Sequence, residues 1–250
     1  MGLCSLPSVI VHTPFRAAVR AAVFSAAFIA ASLPSCIHAR ADACSFAVFG
    51  DSYSDFDAAE EGHYYPGPSS VKGNDVLSEE DMWYMILEKK TGGKLVCNES
   101  LSGSELSANS GYGAKSFLSR LDSLDAKGAD VCFLQGGCND VWLGRSIGVP
   151  VYEDFSSADL TQFAPALSFL FHELCARYPD TKFIYMVCGD YFPPEWCAMA
   201  DEIAAHYGVD TCYFLDASMH EWHPDRLGMA QIAEVAADEV SESLPAGRDA

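Results

Sequence analysis

Three polar residues have the types that nucleophilic catalysis by serine requires. Ser52 and Asn139 each come shortly after an apolar run, and His223 stands before a proline near the end of the chain. A serine hydroxyl becomes an effective nucleophile when a neighbouring base, most often histidine, takes its proton. Asparagine side chains and backbone N–H groups are the donors that stabilise a developing oxyanion. These residues point to acyl transfer, provided that the fold brings them to one place.

The elements that would position them are read from hydrophobic periodicity. Apolar runs of strand length alternate with amphipathic segments of helix length, which predicts βαβ units and a parallel sheet covered on both faces. The predicted strands lie at about 46–49, 94–97, 130–135, 182–187 and 211–215, and the predicted helices at about 79–91, 113–124, 158–178, 193–206 and 225–243. We therefore predict one three-layer α/β/α domain over residues 44–250, with a five-stranded, mainly parallel sheet.

In such a sheet the carboxyl ends of all strands lie on one edge, where ligands bind. Ser52 follows the first strand, the polar loop 98–104 follows the second and Asn139 follows the third. Residues 220–229 lie between the fifth strand and the last helix, so they return to the same edge. The sequence therefore predicts a single site at this edge.

Four segments in this order resemble the SGNH, or GDSL, hydrolase superfamily. They are Gly50-Asp51-Ser52, the glycine of the 98–104 loop at Gly103, Gly137-Cys138-Asn139-Asp140, and His223-Pro224 with Gly228. The order and spacing match the superfamily over nearly all of residues 44–243, and the wording is similar to that of secreted bacterial members. The resemblance implies a flavodoxin-like sheet.

The resemblance also implies roles for individual residues. Ser52 would be the nucleophile, and His223 would be the base and then the acid that protonates the leaving alcohol. The oxyanion hole would consist of the Ser52 N–H, the Gly103 N–H and the Asn139 side chain. Each such donor contributes about 10²- to 10³-fold in rate.

One position departs from the superfamily pattern. The aspartate that usually stands three residues before the histidine is replaced by His220. A backbone carbonyl accepting the Nδ1 proton, and hence a Ser52–His223 dyad, is the explanation we favour. Glu221 or Asp216 as a substitute acid is a second explanation, and lost activity is a third. His220 and His223 also suggest a metal pair, but no further ligand accompanies them and we predict neither metal nor cofactor.

Residues 1–43 have the order of a secretory signal peptide. Arg16 and Arg20 precede an uncharged apolar stretch at 21–34, and small residues with candidate cleavage sites follow. We expect export to the periplasm or the extracellular space, without membrane insertion after cleavage. A lipoprotein-type cleavage before Cys36 is a lower-ranked alternative, because Pro34 fits that motif poorly.

Charge and cysteine content bound the partners. The net charge of −20 disfavours nucleic acid and anionic membrane surfaces as partners. Of the ten cysteines, eight follow residue 43; this even number permits disulfides in an exported chain, but some lie in apolar runs and fit plain buried thiols.

The combined expectation is a secreted serine esterase that acts on short-chain acyl esters, such as acetyl esters, of carbohydrates or other small molecules. One alternative is an impaired member that holds glycans through Tyr64, Tyr65 and Trp142. A lipase or lysophospholipase is a further alternative. It ranks lower because the loop 57–79, where a lid would lie, is polar.

Overall fold

A single parallel sheet organises the structure, a computed structural model that describes residues 44–57, 64–65 and 74–243. Its strands are β1 (Ser45–Gly50), β2 (Lys94–Ser100), β3 (Val131–Gln135), β4 (Lys182–Cys188) and β5 (Asp210–Phe214). They lie in the order β2-β1-β3-β4-β5, and all neighbouring strands are parallel. The predicted five-stranded α/β fold is confirmed. The predicted leader, residues 1–43, lies outside the described residues.

Six α-helices of the described residues connect or follow these strands. They are α1 (Trp83–Thr91), α2 (Phe117–Arg120), α3 (Cys138–Trp142), α4 (Phe163–Arg177), α5 (Pro194–Tyr207) and α6 (Arg226–Ser243), with 3₁₀ turns at Glu79–Asp81 and Asp159–Thr161. The chain moves from β1 to β2 in one direction and from β3 to β5 in the other. Since such crossovers are right-handed, α1 lies on one face of the sheet and α4 and α5 lie on the other. Helix α6 packs against α1 and completes the first layer.

The strand sequences explain which strands are central. Strands β1, β3 and β4 are almost wholly apolar and buried, as expected for strands covered on both faces. Strand β2 has charged and polar residues and is partly exposed along its length, which suits its place at the sheet edge. The core therefore fills the space on both sides of β1, β3 and β4.

Two predicted elements differ in length from those observed. Strand β2 continues through residues 98–100, which we predicted as loop, because Ser100 pairs in register with Gly50 of β1. The helix predicted at 113–124 is reduced to the single turn α2. Ser116 caps this turn by accepting a hydrogen bond from the Ser119 N–H, and the apolar side chains of Leu121 and Leu124 reach the core from the non-helical segment beyond it. The spacing of these buried apolar residues resembles that of a helix, which is why the sequence predicts a longer one.

Two further observations bear on the expected setting of the chain. Cys97, Cys132, Cys138, Cys175, Cys188, Cys197 and Cys212 are free thiols. Among the described residues, no helix combines the length and the apolar character needed to cross a membrane.

Candidate active site

The site lies where the strand order reverses, at the carboxyl end of β1. Gly50, the last residue of β1, pairs with Ser100 of β2 on one side and with Gln135 of β3 on the other. Ser52, Gly103 and Asn139 follow these three positions by two to four residues. Neighbouring parallel strands that end at the same level open a crevice beyond their ends, and ligands of such sheets bind there.

Ser52 is held in a tight turn directly after β1. The Ser54 N–H donates to the Asp51 carbonyl at 3.1 Å, and the Asp51 N–H donates to the Gln135 carbonyl at 3.1 Å. A Cβ on Gly50 would lie 2.5 Å from the Ser100 Oγ and 2.6 Å from the Ser54 Cβ. Position 50 therefore requires glycine because the side chains of Ser100 and Ser54 leave no room for a Cβ atom. Gly50 does not have a positive φ, so the turn does not depend on the left-handed conformation that glycine allows.

The carboxyl of Asp51 points into the protein beneath this turn. Its Oδ1 accepts the Tyr53 N–H at 3.1 Å, and its side chain is 1% exposed. Burial raises its pKa to about 7, and hydrogen bonds from Tyr53 and Gln135 oppose the shift. Asp51 thus supports the turn from below and carries little charge at mildly acidic pH.

Arg120 ties the ends of two strands together below the site. Its guanidinium donates to the Glu99 carbonyl at 2.8 Å and to the Gly50 carbonyl at 3.1 Å. The same group lies 4.9 Å and 4.8 Å from the ring centroids of Phe49 and Phe117. A buried arginine with these partners fixes the level at which β1 and β2 end.

Gly103 and Asn139 are linked through one hydrogen bond. The Asn139 Nδ2 donates to the carbonyl of Ser104, the residue after Gly103, at 2.7 Å. An amide nitrogen has two N–H groups, so the second remains for another acceptor. Gly103 adopts φ +76°, a conformation that favours glycine. The two residues predicted as oxyanion donors therefore belong to one connected unit of the structure.

Asp140 fixes the rest of the loop beside them. Its carboxylate accepts hydrogen bonds from the Leu106 N–H at 2.8 Å, the Ser107 N–H at 3.0 Å and the Ser107 hydroxyl at 2.5 Å. The side chain is fully buried, and burial raises its pKa to about 6. Asp140 therefore holds the loop that follows Gly103 in place, next to Asn139.

His223 reaches Ser52 from a hairpin of two short strands, β6 (Met219–His220) and β7 (His223–Pro224). Its Nε2 lies 2.9 Å from the Ser52 Oγ. Gly228, at the start of α6, lies against the carbonyl of Ser218, so a side chain there would push the helix away from the hairpin. The sequence-predicted base and nucleophile are thus in hydrogen-bond contact.

Aromatic rings surround the imidazole. Tyr64 stacks on it with ring centroids 3.3 Å apart and an interplanar angle of 10°, and Tyr53 meets it edge-on at 5.3 Å. Burial lowers the pKa of His223 to about 3. The imidazole is therefore neutral at ordinary pH, the state in which it can accept a proton.

Phenol groups also hold the backbone on either side of His223. The Tyr53 hydroxyl donates to the Trp222 carbonyl at 2.7 Å, and the Tyr65 hydroxyl donates to the Pro224 carbonyl at 2.6 Å. The Asn74 side-chain amide donates to the same Pro224 carbonyl at 3.1 Å. These three hydrogen bonds fix the peptide segment that carries the imidazole.

The carboxylates predicted as substitutes for the missing acid lie elsewhere. Within the described part of the chain, neither Glu221 nor Asp216 hydrogen-bonds to the His223 ring. Glu221 is exposed in the hairpin turn at φ 55°, and the Asp216 N–H donates to the Asp190 carboxylate at 2.6 Å. Among the same residues, no group of three or more metal-ligating side chains accompanies His220 and His223.

Several supporting residues gave no signal in the sequence. Tyr53, Asn74 and Arg120 act through contacts with residues 70 or more positions away, so no local pattern marks them. The sequence suggests Tyr64 and Tyr65 as glycan contacts, whereas in the structure both rings lie next to His223. The adjacency of Tyr53 to Ser52 is the one feature that would have suggested a role at the site.

Comparisons with known proteins find similar sequences and structures. The GDSL-like lipase/acylhydrolase family model matches residues 44–240. A solved structure from Bacteroides uniformis, designated a GDSL-like lipase, is 29% identical with a TM-score of 0.73, and the match covers 81% of this chain and 97% of that one. A second, of the same designation from Bacteroides ovatus, is 28% identical with a TM-score of 0.72, covering 80% and 99%.

A more distant likeness shows the fold alone. An acetyl xylan esterase from the rumen bacterium Butyrivibrio proteoclasticus is 13% identical with a TM-score of 0.51, and the match covers 80% of this chain and 64% of that one. No curated protein matches the chain at a significant level.

Proposed function

The chain belongs to the GDSL-like lipase/acylhydrolase family, and on that premise we propose that it is a secreted serine esterase for short-chain acyl esters, such as acetyl esters, of carbohydrates or other small molecules. The observation that carries the proposal is the 2.9 Å contact between the Ser52 Oγ and the His223 Nε2, at the edge where open parallel sheets bind their ligands.

The first half of the reaction forms an acyl-enzyme. Ser52 Oγ attacks the ester carbonyl carbon while His223 Nε2 takes the hydroxyl proton. The carbonyl oxygen becomes an oxyanion, which the N–H groups of Ser52 and Gly103 and the free N–H of Asn139 Nδ2 stabilise. The C–O bond to the alcohol then breaks, and His223 returns the proton to the leaving oxygen.

The second half releases the acid. Water attacks the acyl-Ser52 carbonyl, and its proton passes to His223. The second tetrahedral intermediate collapses, its C–O bond to Ser52 breaks, and His223 protonates the serine oxygen. The free enzyme is restored, and one water is consumed for each ester bond cleaved.

A dyad needs something other than a carboxylate to orient the imidazole. The stacked ring of Tyr64 restrains rotation of the His223 ring, and the phenol hydrogen bonds to the Trp222 and Pro224 carbonyls restrain its backbone. We assign the orienting role to these contacts. The signal-peptide-like order of residues 1–43 supports the proposal of export, and the proposed reaction of Ser52 and His223 uses no cofactor.

The test is hydrolysis of ethyl acetate, followed by pH-stat, together with covalent labelling by a fluorophosphonate. We expect wild type to turn over the ester and to be labelled once, and Ser52→Ala to lose both. Ser123→Ala is the matched control, because Ser123 is an exposed serine in a turn away from the site. Equal rates in wild type and Ser52→Ala would refute the proposal.

A second candidate is a glycan-binding member without turnover, which the absence of a carboxylate contact to His223 among the described residues favours. The same experiment separates the two. Glycan binding by a chain that neither hydrolyses esters nor takes the fluorophosphonate label would support the binding module.

A further inference from the structure

Three aromatic side chains from separate segments meet beside the site and have no part in the mechanism above. Trp142 ends α3, three residues after Asn139; Tyr191 follows β4; and Trp222 directly precedes His223. We call these three rings the aromatic platform. Ring centroids are 5.3 Å apart for Trp142 and Tyr191, 6.2 Å for Trp142 and Trp222, and 6.4 Å for Tyr191 and Trp222.

The platform is presented to solvent and is not part of the core. Trp222 is 62% exposed, and the other two rings are half-buried. Exposed aromatic clusters mark binding surfaces, since leaving so much apolar area in water is unfavourable. The backbone of Trp222 is nevertheless held in place. Its carbonyl accepts a hydrogen bond from the Tyr53 hydroxyl, and the residue lies in a two-residue hairpin turn.

The surroundings of the platform are acidic. Glu221 precedes Trp222, Asp190 precedes Tyr191, and both carboxylates are exposed. Carboxylates accept hydrogen bonds from hydroxyl donors and repel anionic headgroups. A sugar ring has polarised C–H bonds on its faces and hydroxyl groups around its edge. Its C–H bonds can therefore stack on the flat aromatic rings while its hydroxyls donate hydrogen bonds to the carboxylates at the rim.

We propose that the aromatic platform binds the pyranose ring of an uncharged, O-acylated carbohydrate and directs its acyl group to Ser52. The inference rests on the proposed esterase function and adds the substrate class and its subsite. One face of the sugar stacks on Trp222, with Trp142 and Tyr191 supporting the stack, while sugar hydroxyls donate to the rim carboxylates. Because Trp222 adjoins His223, a stacked sugar holds an ester oxygen within reach of the base.

The platform differs from the glycan contacts expected from sequence. Tyr65 is fully buried with its hydroxyl bonded to Pro224, and Tyr64 covers His223. Of the three aromatic residues suggested for glycan binding, only Trp142 belongs to the platform.

The test compares substrates with and without a sugar ring. We would measure kcat and KM of wild type, Trp222→Ala and Trp222→Phe on O-acetylated methyl pyranosides of several common sugars, on phenyl acetate and on ethyl acetate. For Trp222→Ala we expect about a tenfold loss of kcat/KM on the preferred pyranoside, mainly through KM, and a clearly smaller loss on ethyl acetate, which has no ring to stack. Trp222→Phe should recover most of the loss. Leu227→Ala is the matched control, since Leu227 is apolar, 61% exposed and outside the platform.

Binding without turnover is measured in parallel. Tryptophan fluorescence of Ser52→Ala, titrated with the same pyranosides, should show saturable binding that weakens about tenfold when Trp222→Ala is added. No binding of any pyranoside, equal losses on pyranoside and ethyl acetate, or a larger loss on phenyl acetate would each overturn the inference. Ethyl acetate hydrolysis reports the esterase function separately, so failure of the sugar subsite and failure of the proposed function are distinguishable.

Discussion

Removing the ring of Tyr64 should move the acid limit of activity. In the structure this ring lies parallel to the His223 imidazole, with centroids 3.3 Å apart. Burial holds the pKa of His223 at about 3, against an ordinary value of 6.5, because water cannot solvate the imidazolium. Tyr64→Ala opens one face of the imidazole to water, so the charged form becomes easier to reach and the pKa rises.

The size of the effect follows from the share of the imidazole that is uncovered. Tyr53 still meets the ring edge-on at 5.3 Å, so the pKa does not return fully to 6.5. We expect a rise of about one to two pH units in the variant. Since only the neutral imidazole accepts the Ser52 proton, kcat/KM falls about tenfold for each pH unit below the pKa.

The assay is a pH profile of kcat/KM for ethyl acetate between pH 7 and pH 4. Wild type should stay nearly level over this range, and Tyr64→Ala should lose about two- to tenfold at the acid end. Tyr64→Phe is the matched control, because the phenyl ring covers the same face and should leave the profile level. Circular dichroism at each pH confirms that the variants are folded.

A second readout tests the cause directly. The C2 proton of His223, assigned by its absence from the spectrum of His223→Asn, titrates with the ring. Identical titrations in wild type and Tyr64→Ala would refute the reasoning. So would a wild-type acid limb near pH 6.5, because that value would mean that the imidazole is solvated despite its stacked neighbour.

Two further predictions concern stability. Arg120→Met should lower the free energy of unfolding by about 2–4 kcal/mol, because the carbonyls of Glu99 and Gly50 lose their charged donor. Urea denaturation measures this loss. A loss below about 1 kcal/mol, roughly the contribution of one neutral hydrogen bond, would contradict the role given to the arginine. Asp51→Asn should become more stable relative to wild type as pH rises from 4 to 8. The pKa of the Asp51 carboxyl is raised to about 7, so the folded protein holds the proton more tightly than the unfolded chain and loses stability on ionisation. The difference should approach about 4 kcal/mol above pH 7, an order-of-magnitude figure from 1.36 kcal/mol per pKa unit, and a difference independent of pH would refute it.

The sheet was predictable because its strands carry their own signal. Buried apolar runs such as residues 131–135 are long enough and sufficiently bounded by polar turns to be recognised locally. Residues 98–100 were missed as part of β2 because they are polar, and their strand conformation comes from pairing with β1. The 113–124 helix was overestimated because Leu121 and Leu124 are buried although they lie outside the helix. Both errors arise where tertiary contacts override local pattern.

The site divides in the same way. Ser52, Gly103, Asn139 and His223 stand in short motifs whose order can be read along the chain, and the structure places Ser52 and His223 in contact. The groups that orient His223 cannot be read from the sequence. The Tyr53 hydroxyl reaches a carbonyl 169 residues further along the chain, and only the fold brings such distant groups together.

The way His223 is held has a consequence for the chemistry that we propose for it. A triad carboxylate both orients the imidazole and stabilises the imidazolium that forms in the transition state. The tyrosine contacts supply orientation, but rings and phenols bonded to neighbouring carbonyls add no negative charge beside the Nδ1 atom. The imidazolium is then stabilised less, and the base is weaker, with a pKa of about 3. In exchange, His223 stays neutral far into the acid range, where a histidine paired with a carboxylate is already protonated. A dyad of this kind favours esters over amides, because an alkoxide leaves more readily than an amide anion and asks less of the acid that protonates it.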